Sequence, residues 1–228
     1  MKLLIRFILF TVVDIYLFLN LGKIYGLIGL AIILFRLLYI LGFLRSITIY
    51  RGAFNEGMAY LKDYQGSYRN SEPYKEAAYL IKSFKDLGKF VIIGIFYDKP
   101  GEVPEDKLRS SIGVYCKNVG FPDAISKELE SYFQTNNYYS VEFPTTSCLC
   151  SSWDYSNSFV MMLGIMKFYK VLKQSLEDVM FKKTFKIREE PKTVIELYPS
   201  ENKIQFWVPT FNQDKFFVYK KEDKTKSE

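Results

Sequence analysis

The sequence predicts an α+β fold in which one βαββ unit occurs twice, set behind an apolar N-terminal leader. Three observations lead there. Short apolar runs with strand-like alternation recur from about residue 58 to residue 209. Amphipathic stretches with helical spacing interrupt them. The first forty-five residues are long apolar runs with few charges.

The leader comes first. Residues 24–44, IYGLIGLAIILFRLLYILGFL, hold one charge, Arg36. As a helix they would extend roughly 31 Å, the thickness of a bilayer core, which predicts a transmembrane helix. Residues 3–21 are also apolar, with Arg6 near one end and Asp14 near the middle. Two arrangements are open. In one, both segments span as a helical hairpin turning at Asn20–Lys23. Lys2 and Arg6 then share the cytosolic side with Arg45 and Arg51, and Asp14 can approach Arg36. In the other, only 24–44 spans and 3–21 lies at the interface. A cleaved signal fits poorly, because the apolar region is long and no small-residue cleavage site follows it. Residues 1–46 are thus read as a membrane anchor with the lipid bilayer as partner. Residues 47–219 form the folded domain, and 220–228 a short charged tail.

Charge supports this division. The net charge is +6, of which residues 1–52 supply +5 and the rest +1. A nearly neutral domain is not expected to bind nucleic acid. The chain has no histidine, which removes imidazole bases, Ser-His-Asp and Cys-His machinery, and imidazole metal ligands. Three cysteines, Cys116, Cys148 and Cys150, are too few for a structural zinc site. Cys148 and Cys150 stand two apart in a strand-like stretch, so they point the same way and read as free thiols. No cofactor, metal or enzymatic activity is expected.

Within the domain, YKEAAYLIKSFKDL (74–87) places Tyr74, Ala77, Ala78, Ile81, Phe84 and Leu87 on one helical face, with Ser71 as a cap and Pro73 in the first turn. Further helices are expected at 123–135 and 157–181. Strands are expected at 58–64, 90–97, 109–117, 138–143, 147–154, 192–198 and 203–209. The repeat is clearest where IGIFYDKP (93–100) is set beside VIELYPSE (194–201), which puts Tyr97 on Tyr198 and Ile95 on Glu196. The expected product is one mixed sheet with two helices over one face and an open or concave opposite face.

One connection is unusually long. YDKPGEVPEDKLRSSIG (97–113) joins two strands, whereas the second copy turns through PSENK. Either this is a rigid loop in which Asp98 or Glu105 pairs with Lys107 or Arg109, or its residues Asp98, Pro100, Pro104 and Arg109 present an edge to a partner.

The same hairpin resembles a signature of the GyrI-like domain: an aromatic, Asp, a turn-forming Pro, a later Pro, then Leu-Arg entering a strand. I-E-L-Y-P (195–199) resembles its second signature, and D-Y-Q-G-S-Y (63–68) its Gly-containing turn before the first helix. With the apolar leader, the chain resembles the testis-expressed protein 264 family, receptors for autophagy of the endoplasmic reticulum. The resemblance covers about residues 50–219. It implies a duplicated βαββ, SOUL-like fold and an adaptor role at the endoplasmic reticulum membrane, with the domain facing the cytosol. The implied partners are proteins of autophagy or reticulum quality control. Those receptors carry a long acidic tail with an aromatic-x-x-aliphatic motif, which YKKEDKTKSE lacks. The GyrI-like class also implies binding of a small amphipathic molecule against a glutamate, and Glu196 matches that position. Period two puts Val194, Glu196 and Tyr198 on one strand face and Ile195 and Leu197 on the other, toward the helices. Glu196 either counters a cationic ligand or has a raised pKa, or it pairs with a nearby lysine or reaches solvent. Tyr68, Tyr97, Tyr198 and Trp207 are the candidate pocket aromatics.

Overall fold

The computed structural model describes residues 10–13, 15, 16, 19, 23–84, 87, 89–117 and 127–220. Its helices include α1 (Lys23–Ile40), α2 (Glu72–Ser83), α3 (Lys127–Thr135), α4 (Ser158–Glu177) and α5 (Val179–Phe185). Its strands are β1 (Tyr50–Phe54), β2 (Gly57–Gln65), β3 (Val91–Phe96), β4 (Arg109–Lys117), β5 (Tyr139–Phe143), β6 (Thr146–Asp154), β7 (Val194–Ser200) and β8 (Lys203–Pro209). They form one eight-stranded sheet in the order β1-β6-β8-β7-β3-β4-β2-β5. Every pairing is antiparallel, where a mixed sheet was expected.

Two connections shape this sheet. Only Asn55–Glu56 separates β1 from β2, and only Pro144–Thr145 separates β5 from β6. Links this short usually make hairpins. Here β1 pairs with β6, and β2 pairs with β5. Each leading strand therefore crosses to the edge of the other half. In a flat sheet β1 and β2 would stand about 29 Å apart, while the link reaches at most about 11 Å. The sheet must curl until its edges meet.

The two halves repeat. Phe54 pairs with Thr146 as Phe143 pairs with Gly57, and the two phenyl rings meet edge-on at 6.1 Å. β3 and β7 pair at the centre, with Gly94 opposite Glu196 and Ile95 opposite Ile195. Ile95 belongs with the inner cluster and Glu196 does not. Setting Ile95 on Glu196 is thus off by one residue, which places each side chain on the wrong face.

The curl defines an inside and an outside. Inside lie Phe54, Leu61, Ile93, Ile95, Tyr97, Tyr115, Phe143, Cys148, Cys150, Ile195, Leu197 and Phe216. The expected open face is therefore filled. Phe216 stacks on Phe143 at 5.1 Å and meets Phe54 edge-on at 5.6 Å. Outside, α2 and α3 cover one half of the sheet through Leu80, Leu129 and Phe133. α4 covers the other through Phe168, which stacks on Phe206 at 4.0 Å. A methyl group on Gly164 would fall 2.2 Å from the Trp153 ring, so glycine sets how closely α4 approaches.

Several local expectations need correction. Ser71 makes no capping hydrogen bond; the Asn70 side chain accepts from the Glu72 amide instead, at 3.0 Å. The helix expected over 157–181 breaks at Asp178, whose side chain accepts from the amides of Met180 and Phe181 and starts α5.

The helix of the leader has other bounds than the expected span of 24–44. α1 has 18 residues, about 27 Å of helix, and Arg36 lies within it. It stops at Ile40 because Gly42 takes a left-handed conformation (φ +82°), and the Phe43 amide bonds back to the Leu38 carbonyl. Lys167 of α4 donates to the carbonyls of Gly42, Phe43 and Arg45, at 2.8, 2.8 and 2.6 Å, holding this turn on the domain. Among the described residues, no helix is long and apolar enough to cross a membrane. Asp14 lies outside the described residues, and Arg36 sits over the Phe10 ring at 4.8 Å.

Phe54 touches the rings of Tyr115, Phe143, Trp207 and Phe216 at 5.2–6.1 Å. Phe54→Ala is expected to cost about 3–5 kcal/mol in denaturant unfolding. Tyr79→Ala, on an exposed face of α2, should stay within about 0.5 kcal/mol of the parent.

Candidate functional site

Glu196 sits in the middle of the central strand β7, 2 % exposed. Strand alternation sends Ile195 and Leu197 to the inside of the curl and Glu196 outward with Val194 and Tyr198. The alternation is as the sequence reads, but the helices lie on the glutamate side. Glu196 is therefore covered by the helix layer and not held in the concave face.

Its surroundings are tyrosines. Tyr198 donates its hydroxyl to Oε2 at 2.7 Å, and Tyr169 of α4 reaches Oε1 at 3.5 Å. Tyr74, in the first turn of α2, meets Tyr198 edge-on at 5.4 Å. Gly94 makes this approach possible: a Cβ there would lie 2.9 Å from the Tyr74 hydroxyl. Phe206 flanks Glu196 on β8. Among the described residues, no lysine or arginine forms an ion pair with Glu196. Burial pushes its carboxyl up to about 7, although both tyrosine hydrogen bonds pull the other way. Burial also drives the hydroxyls of Tyr74, Tyr169 and Tyr198 well above the ordinary phenol range, with the Glu196 charge adding to it.

Tyr68 closes one end of this region. Its hydroxyl donates to the carbonyls of Arg109 (2.8 Å) and Asp98 (3.2 Å), and its ring meets Phe96 edge-on at 4.8 Å. It lines a cavity of about 50 Å³ with Ser67, Pro73, Phe96, Ser110 and Ile112. Such a volume holds a water or two, not a drug-sized ligand.

The structure does not bring Tyr97 and Trp207 to Glu196. Both point into the curl. Tyr97 shares a 2.8 Å hydrogen bond with Ser111, and Trp207 packs on Phe54 at 5.8 Å. Helical spacing puts Tyr74 on a packed helix face and Tyr169 in the core of the third helix, so sequence reasoning misses both as site residues. The missed signal is a tyrosine on each helix, facing the one acidic residue of an otherwise apolar strand.

The long hairpin is a stapled structure. Asp98 accepts from the Arg109 amide at 2.7 Å and from Nε and Nη2 at 3.0 and 2.8 Å. Burial pushes the Asp98 carboxyl up, and the Arg109 guanidinium and amide more than offset this, holding it below its ordinary value. Pro100 forms a bridge with Val103, and Pro104 leads into a short 3₁₀ turn at Glu105–Lys107. Lys99 bonds Glu190, and Ser67 bonds Glu105. Pro100 and Pro104 stay exposed.

Cys148 and Cys150 are buried free thiols whose pKa burial pushes up to about 12, which leaves them unreactive at neutral pH. Among the described residues, no group of three metal-binding side chains converges.

No family model matches the chain, and no curated protein matches it. Among the solved structures that overlap it loosely, three serve as examples. The C-terminal domain of EcmrR superposes with a TM-score of 0.47 at 12% identity, over 72% of this chain and 96% of that one. SAV2435 bound to tetraphenylphosphonium gives 0.43 at 9% identity, over 71% and 93%. A hydrolase from Listeria innocua gives 0.44 at 15% identity, over 72% and 92%. At these scores no function transfers.

The raised Glu196 carboxyl sets a sign for pH dependence. Folded, it holds its proton up to about pH 7; unfolded, it releases it near 4.5. Its contribution to stability is complete below 4.5 and is lost as pH rises to about 7. Glu196→Gln is expected to remove this slope and to gain on the order of 3 kcal/mol relative to the parent at pH 8, read from urea unfolding at pH 4.5, 6 and 8.

Proposed function

We propose that the chain is a GyrI-like binding module for a small amphipathic cation, with Glu196 as the counter-charge. The observation that carries this is a buried carboxylate that, among the described residues, is satisfied by tyrosine hydroxyls and by no cation. Leaving a carboxylate buried without a cation is costly. A protein that needed only a stable core would gain from an apolar residue there. A cationic, aromatic ligand would supply the missing charge, and Tyr74, Tyr169 and Tyr198 offer ring faces to it. Admission requires the segment Gly66–Pro73, which carries Tyr68 and opens α2, to move outward. The Asp98–Arg109 pair fixes the carbonyls that anchor Tyr68, and so sets how readily that segment opens. Binding, not chemical transformation, is the reading.

The test is thermal shift with a lipophilic quaternary cation such as tetraphenylphosphonium. At 100 times Kd the chain should gain about 2.7 kcal/mol. The gain should be larger at pH 7.5 than at pH 5.5, because the carboxylate is then ionised without proton loss. Glu196→Gln should abolish it while leaving the fold intact. A flat response across a panel of such cations contradicts the proposal.

A second reading is favoured by α1. Leu27, Ile28, Leu30, Ile32, Leu34, Phe35, Tyr39 and Ile40 are all exposed, a larger apolar surface than a soluble monomer commonly leaves open. We propose that this helix associates with a lipid surface, which would tether the binding module to a membrane. The resemblance to reticulum receptors names the endoplasmic reticulum and an adaptor role for autophagy or quality-control proteins. The full chain should float with lipid vesicles in a density gradient, and a Leu30→Glu/Leu34→Glu variant should stay at the bottom.

A further inference from the structure

The inner face holds a second polar site, away from Glu196. Asp63 of β2 accepts from Ser111 at 2.6 Å and from Tyr139 at 2.5 Å, both on Oδ1. Ser111 also bonds Tyr97 at 2.8 Å. These four side chains come from β2, β4, β5 and the residue that follows β3, and the curl brings them to one mouth.

What they hold is backbone. Asp63 Oδ2 accepts from the Lys220 amide at 2.6 Å, and the Tyr139 hydroxyl lies 3.1 Å from the Val218 carbonyl. Side chains of the same segment dock beside them. Phe217 and Tyr219, two apart, both pack on Tyr97, at 4.9 and 5.7 Å. The Arg109 guanidinium lies over both rings, at 5.5 and 5.8 Å, and Lys220 lies over Tyr139 at 4.5 Å. A carboxylate acceptor, a tyrosine hydroxyl, an aromatic slot and a cation thus surround one tetrapeptide, Phe-Val-Tyr-Lys. The segment is anchored on its N-terminal side by the fully buried Phe216.

From this geometry we infer that the mouth of the curled sheet is a peptide-binding site, occupied in cis by Phe217–Lys220 and able to take an extended aromatic-x-aromatic-basic segment of a partner protein. Recognition couples backbone hydrogen bonds with alternate side-chain pockets, the logic by which extended peptides are read elsewhere. The cis segment competes at high effective concentration, so a partner binds well only when that segment is displaced. The base of the long hairpin belongs to this site: Arg109, fixed by Asp98 on one side, presents its other side to Phe217 and Tyr219.

The experiment uses the full chain and a fluorescent peptide, KFFVYKKE, the sequence of residues 215–222. A Phe217→Ala/Tyr219→Ala variant loosens the cis segment and is expected to bind the peptide at least about ten-fold more tightly than the parent chain. Adding Asp63→Asn should remove that gain, while a peptide with both aromatics replaced by alanine should not bind. Saturable binding with this pattern supports the site. No binding to a variant that melts cooperatively, or binding indifferent to Asp63→Asn, overturns it. Should the double variant fail to fold, hydrogen exchange on the parent chain decides. Excess peptide should accelerate exchange of the Lys220 amide, and an unchanged rate overturns the inference.

Discussion

The curl of the sheet rests on two links of two residues each. Asn55–Glu56 and Pro144–Thr145 join strands that do not pair with one another. Because neither link can stretch across an open sheet, the edges must come round to meet. From that follow the inner and outer faces, the crossing of β1 and β5 between halves, and the aromatic packing of Phe54, Phe143 and Phe216 where the crossings meet. Burying three phenyl rings at that junction is favourable enough to hold strands that local pairing would otherwise claim.

The two carboxyl clusters divide along the same surface. A strand in a covered sheet exposes neither face, so any polar side chain on it must find partners within a layer. Outward, Glu196 meets tyrosines on α2, α4 and its own strand, and among the described residues no cation pairs with it. Inward, Asp63 finds serine and tyrosine hydroxyls and the backbone of residues 218–220. The long hairpin after β3 serves both sides. Its Asp98–Arg109 pair orients the carbonyls that hold Tyr68 outside and the guanidinium that covers Phe217 and Tyr219 inside.

The strands were legible because period-two alternation survives in a sheet covered on both sides: seven of the eight fall where apolar runs predict them. β1 was not, since Tyr-Arg-Gly-Ala-Phe has no alternation and owes its pairing to β6, far along the chain. The duplication was legible, but its register was not. Ile95 and Glu196 align well as neighbours of aromatics, and only the pairing of Gly94 with Glu196 reveals the one-residue slip. Which residues share a face with Glu196 could be read from the sequence; which face the helices cover could not. Tyr74 and Tyr169 have the spacing of ordinary core positions, so their role depends on the crossing of helix over strand. The leader has the composition of a membrane span over 24–44, and nothing in that stretch announces that Gly42, held by Lys167, ends the helix early. The occupied inner face was hidden for a similar reason, because a tail of mixed charge and aromatics gives no sign of folding back.

The crossed edges are the feature on which both sites depend, and solution NMR sees them directly. Cross-strand Hα–Hα and ring–ring contacts should link Gly52 with Cys148, and Phe54 with Phe143. A pattern linking β1 to β2, or β5 to β6, as simple hairpins would contradict the curl, since neither the filled interior nor the placement of Glu196 beneath the helices survives in an uncurled sheet.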